Sequence, residues 1–129
     1  MPIFKLDKLV RDGIVDHQLS LGQKPEFRIL NPQEHRRALL RKLVEEVQEI
    51  SNSDTKEAAG ELADVQQALD DLVKLYGLTK REVAVAQERK AKKSGAFVKG
   101  VFIETLETDE NDPWTEYYRK DPERFPEIG

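Results

Sequence analysis

The sequence predicts an all-α fold: an antiparallel four-helix bundle-like core, a short two-stranded ribbon beside it, and an extended aromatic C-terminal tail. Two observations carry most of this. Apolar residues recur at helical spacing in two consecutive stretches: Leu39, Leu40, Leu43, Val44, Val47 and Ile50, then Leu62, Val65, Leu69, Leu72, Val73 and Tyr76. The connection between them, Ser51 to Asp54, is short, and short connections make antiparallel neighbours.

Taken in order, residues 7 to 21 predict a first helix stopped by Gly22. Phe27-Arg28-Ile29-Leu30 alternates as a short strand. Asn31-Pro32-Gln33-Glu34 then announces a helix, with an N-cap, a proline at the first position and an acid at the third. That helix is expected to run to about residue 51. Asp54 caps the next, which lasts to Tyr76 and ends at Gly77. Thr79-Lys80-Arg81-Glu82 is a capping box opening a less apolar helix to about Lys93, whose closing Lys90, Lys92 and Lys93 suit the helix dipole. Ser94-Gly95 breaks the pattern, and Phe97 to Ile103 reads as a strand pairing with residues 27 to 30. The tail, residues 106 to 129, holds Trp114, Tyr117, Tyr118 and Phe125 among three prolines. So aromatic a stretch is expected to pack across the body or a partner subunit, against the alternative of a disordered end.

Composition narrows the function. The 129 residues predict a single domain, and the net charge of -4 with interspersed basic residues gives no nucleic-acid footprint. No cysteine is present, which removes disulfides, thiol catalysis and cysteine zinc sites. His17 and His35, the only histidines, read as solvated surface residues. With no apolar leader and no run of membrane-spanning length, a cytoplasmic protein without membrane partners is expected.

The chemistry concentrates between Lys42 and Asp64. Glu46 and Glu49 form one acid pair, Glu61 and Asp64 another, and the three-residue step keeps each pair on one helical face. At about 100° per residue, Glu46 and Glu61 lie roughly 80° from their apolar stripes, while Glu49 and Asp64 lie roughly 140° away in the same sense. In an antiparallel hairpin this brings both pairs to one side. Reflection about the turn sets Glu46 level with Glu61 and leaves Glu49 and Asp64 about 9 Å apart along the axis. That spread suits two hydrated ions, or one ion and a carboxylate that activates water: a carboxylate cage for magnesium. The competing reading is a solvated acidic face, since 36% of residues are charged and Glu104, Glu107 and Glu110 repeat the spacing where strand and turn are expected. Against it stands the mutual repulsion of four or five crowded carboxylates. Acids so far from their own stripe also need a further layer, from the first and fourth helices or a second subunit. Lys8-Leu9-Val10-Arg11-Asp12 offers two cations that are either ordinary surface charge or phosphate ligands over the acidic side.

Glu46-Val47-Gln48-Glu49 followed by Glu61-Leu62-Ala63-Asp64, with Lys42 and Glu45 just before, resembles the paired acidic signature of the MazG-like superfamily of all-α nucleoside triphosphate pyrophosphatases, which includes the phosphoribosyl-ATP pyrophosphohydrolase-like proteins. Lys8 to Asp12 and Ser94-Gly95-Ala96-Phe97-Val98-Lys99 are similar to a subgroup of short, stand-alone members. Gly13 and Val15 depart from that subgroup, which usually has a basic residue and a proline there, and the eleven residues between the acid pairs are at the short end of the superfamily's range. The resemblance implies hydrolysis of a nucleotide between its α- and β-phosphates, giving a monophosphate and pyrophosphate. It implies magnesium, or manganese, on Glu46, Glu49, Glu61 and Asp64, with Glu45 as base or extra ligand and Glu45 and Glu46 the catalytic acids. Lys8, Arg11, Lys42 and Lys93 would bind phosphate, and the subunits would form a homodimer or homotetramer.

No Gly-rich phosphate loop is present, so motor ATPase and kinase readings lack support. Three readings compete: a house-cleaning pyrophosphatase of (deoxy)nucleoside triphosphates, a phosphoribosyl-ATP pyrophosphohydrolase, and a non-catalytic helical interaction protein. The Lys8 to Asp12 segment favours the first.

Overall fold

A computed structural model describes residues 1–129. It is all-helical, with α1 at Ile14–Ser20, α2 at Pro32–Ile50, α3 at Thr55–Leu75, α4 at Lys80–Ser94 and α5 at Pro113–Arg119. The chain forms two compact units, Met1–Lys93 and Ser94–Gly129. No helix is long and apolar enough to cross a membrane.

In the first unit the start signals do what their chemistry requires. Asn31 accepts the Glu34 N–H at 2.9 Å while the Glu34 carboxylate accepts the Asn31 N–H, and Pro32 sits where no donor is needed. Asp54 accepts the Glu57 N–H at 2.9 Å to open α3, and Thr79 accepts the Glu82 N–H at 3.1 Å at α4. Gly77 ends the α3 turn at φ +72, a left-handed conformation a side chain would resist.

α2 and α3 are the closely packed pair of this unit. Leu39 meets Ala68 and Leu72 at one end of the seam, with Leu9, Leu43 and Leu75 packed around them, while Glu46 meets Glu61 nearer the turn. The helices therefore run antiparallel in the register read from the sequence. Closure is narrower than the apolar stripes allow: Leu40, Val44 and Val47 remain 45%, 59% and 54% exposed. One neighbour covers only part of a stripe wide enough for a bundle. α4 stands off α3 across an open cleft of about 400 Å³ lined by Leu69, Asp70, Val73 and Val83, and Lys80 pairs with Asp70 at 3.1 Å.

Two expected elements differ. The helix over 7–21 shortens to Ile14–Ser20. Asp7 has a positive φ of 44, and Gly13, which stands at the cap position, offers no side chain to accept an N–H, so the chain before it stays irregular. The two-stranded ribbon is absent: neither 27–30 nor 97–103 is a strand. Arg28 is drawn instead to Glu34, at 3.0 Å. A turn at Phe97–Lys99 and Gly100 at φ +67 interrupt the other run. A ribbon of two short strands has little stability of its own to resist either effect.

The second unit is not merely an extended tail. Asp112 accepts the Trp114 N–H at 2.9 Å and Pro113 opens α5. Trp114, Tyr117, Tyr118 and Phe125 stack at centroid separations of 5.0 to 6.1 Å. Arg119 grips Glu110 and Glu127, each at 2.8 Å, and buried Thr115 hydrogen-bonds Thr108 at 2.7 Å and the Asp109 carbonyl at 2.6 Å.

Candidate functional site

Carboxylate oxygens of Glu46 from α2 and of Glu61 and Asp64 from α3 all lie within 4.8 Å of one another. Glu46 is only 5% exposed, unusual for an acid. It is partly compensated from its own helix, one turn back, by Lys42, whose ammonium donates to Glu46 Oε1 at 3.0 Å and lies 3.8 Å from Glu45. Asp64 is compensated from outside the hairpin. Leu9 rests on the Leu39, Ala68 and Leu72 cluster, and two residues on, Arg11 Nη2 donates to Asp64 Oδ1 at 2.6 Å.

Two oxygens are left over. Glu46 Oε2 and Glu61 Oε2 are buried and have no hydrogen-bond partner. Stranding two carboxylate oxygens out of water is unfavourable unless a positive group completes them. The protonation behaviour records the strain. Burial first, then the charge of Glu49 and a hydrogen bond shared with it, then the charges of Glu46 and Asp64, raise the Glu61 carboxyl above its ordinary value. Burial pulls the Lys42 ammonium down, but its hydrogen bond to Glu46 and the charges of Glu45, Glu46 and Glu49 outweigh this and raise it.

Of the residues expected here, the fold thus gathers Glu46, Glu61, Asp64, Lys42 and Arg11, with Glu45 at the margin. Glu49 is exposed and outside the close group of three, although its carboxylate acts on Glu61 both by charge and by hydrogen bonding. The axial offset of about 9 Å between Glu49 and Asp64 keeps the two from sharing one close group, and it is Asp64 that joins Glu46 and Glu61. Lys8 and Lys93 are exposed, and neither forms an ion pair. The direct contact of Arg11 with Asp64 was not anticipated. Its signal was the alternation of Leu9 and Arg11, which lets one side chain anchor while the other reaches back to the acids.

Fold and site together define an all-helical protein with a buried-edge carboxylate cluster on a helical hairpin. Compared with family models, curated proteins and solved structures, the chain finds no match. The donor set fits a hard divalent cation: every candidate ligand is a carboxylate oxygen, and two of those oxygens lack any other partner.

Proposed function

We propose that this chain is a magnesium-dependent nucleotide pyrophosphohydrolase of the MazG-like kind, acting in the cytoplasm on a (deoxy)nucleoside triphosphate to release pyrophosphate and a monophosphate. The carrying observation is the convergence of Glu46, Glu61 and Asp64 with two unpartnered buried oxygens among them. Magnesium held by these residues, with Glu49 joining from the rim, would supply charge against phosphate oxygens and a more acidic water. The chain's own residues divide the remaining work. Glu45, at the margin of the cluster and only loosely paired with Lys42, is placed to accept a proton. Lys42 holds the buried Glu46 in place through its 3.0 Å contact with Oε1. Arg11, with Lys8 on the same segment, is placed to meet phosphate, and Lys93 in the last turn of α4 is a more remote candidate.

The exposed stripe on α2 supports assembly into a homodimer or homotetramer whose subunits cover one another's helices. A magnesium-supplemented panel of nucleotides tests the chemistry. Pyrophosphate release from at least one nucleoside triphosphate is expected, with Asp64→Asn and Glu49→Gln folded but reduced on the order of 100-fold. Full activity in either variant removes that residue from the site. Turnover of phosphoribosyl-ATP alone would move the reading to histidine synthesis. No turnover and no magnesium binding by calorimetry would favour a helical interaction protein.

A further inference from the structure

The two cations at the cluster are held very differently. Lys42 sits on α2 itself, one turn from Glu46, with a side chain only 23% exposed. Arg11 belongs to an irregular segment that precedes α1, tied to the hairpin by the apolar contact of Leu9 and by the single bond to Asp64. That bond is short, yet its partners are 60% and 39% exposed, so water can replace either of them and the pair contributes little net stability. One cation is built in and the other is attached.

We propose that Arg11 is an exchangeable counterion of the carboxylate cluster: a divalent cation and the Arg11 guanidinium compete for Asp64, and cation binding releases the segment carrying Lys8 and Arg11. The proposal rests on the cation site of the proposed function. Asp64 offers an oxygen within 4.8 Å of oxygens from Glu46 and Glu61, so an ion shared by the three acids lies close to a guanidinium 2.6 Å from Asp64. Like charges at such separations repel strongly where water is partly excluded. Lys42 is fixed by the α2 backbone one turn from Glu46, so its ammonium stays within reach of the acid, whereas Arg11 can swing on a loop. Once free, a planar guanidinium recognises phosphate oxygens through paired donors, so the group that pairs with Asp64 becomes a ligand for an incoming polyphosphate.

Calorimetry with magnesium chloride on the full chain, on Arg11→Gln and on Lys8→Gln tests the competition. Lys8→Gln removes the same charge from the same segment without touching Asp64. Arg11→Gln is expected to bind magnesium about fivefold more tightly than the native chain, and Lys8→Gln within about twofold of it. Tryptic cleavage after Lys8 gives a second readout, independent of activity. Magnesium should accelerate that cleavage in the native chain and leave it unchanged in Arg11→Gln, where the segment is already loose. Equal or weaker magnesium binding by Arg11→Gln, or cleavage in the native chain that magnesium slows or leaves alone, overturns the counterion role while the cation site stands. If none of the three proteins binds magnesium, the site falls and the counterion role with it.

Discussion

Glu61 shows how a side chain can be placed against its own stability. Its carboxyl is raised by burial and by Glu49, Glu46 and Asp64, so the folded chain holds the proton more tightly than the unfolded chain does. The resulting stabilisation is complete below the unfolded value and is lost as pH rises through the folded one. Neutral solution is therefore where the cluster is most strained. Glu61→Gln, which cannot ionise, should melt higher than the native chain at pH 7 in the absence of divalent ions, and the gap should close at acid pH, as scanning calorimetry across the range would show. A gap that widens on acidification would contradict this assignment of the strain. Lys42 makes the opposite case. Its replacement in Lys42→Met leaves Glu46 Oε1 without its 3.0 Å partner in a site where Oε2 already has none. A loss of about 1–3 kcal/mol at neutral pH is expected from urea denaturation.

At the scale of the element, the α2–α3 hairpin depends on a short seam. Leu39 contacts Ala68 and Leu72 in the single buried apolar cluster, so Leu39→Ala should cost about 2–5 kcal/mol and unfold much of the unit if its total stability is ordinary. Asn31→Ala, by contrast, removes a cap and should cost about 1 kcal/mol, visible as a small shift in the same denaturation curve. Such features were legible in the chain because they are local. A cap needs one side chain and an N–H three residues on, and the register of Glu46 with Glu61 needs only the stripe angles and a short turn. The missed features depend on distant or marginal interactions. Residues 27 to 30 alternate like a strand, but no second strand was available, because Gly100 bends the run that should have paired with them. The first helix began late because Gly13 cannot cap, a weakness visible in the residue but overruled by the periodicity around it. Within the site, angle and rise set Glu46 level with Glu61 and put both acid pairs on one side. They treat Glu49 and Asp64 alike, and so could not tell which of the two would join the close group with Glu46 and Glu61. The reach of Arg11 likewise required knowing how Leu9 docks.

At the scale of the whole molecule, the question is what the apolar surface is for. Leu40, Val44 and Val47 recur on one side of α2 at helical spacing and stay about half exposed. Leu62 on α3 and Tyr76 at its C-cap are exposed to a similar degree. Against these, Leu39, Ala68 and Leu72 are the only buried apolar residues, and none is completely shut off from solvent. A seam this small leaves the hairpin with far more to gain from a second layer than from its own turn. If that layer is another copy of the chain, as the proposed assembly requires, light scattering at micromolar concentration should give a mass of at least two chains. Val44→Asp, at the most exposed of the three α2 positions, should then lower the mass to one chain and lower the melting temperature with it, because a charge buried between subunits opposes their association. A native chain that remains monomeric with a cooperative melt, and a Val44→Asp variant that melts at the same temperature, would mean that this face is covered by something other than the chain itself.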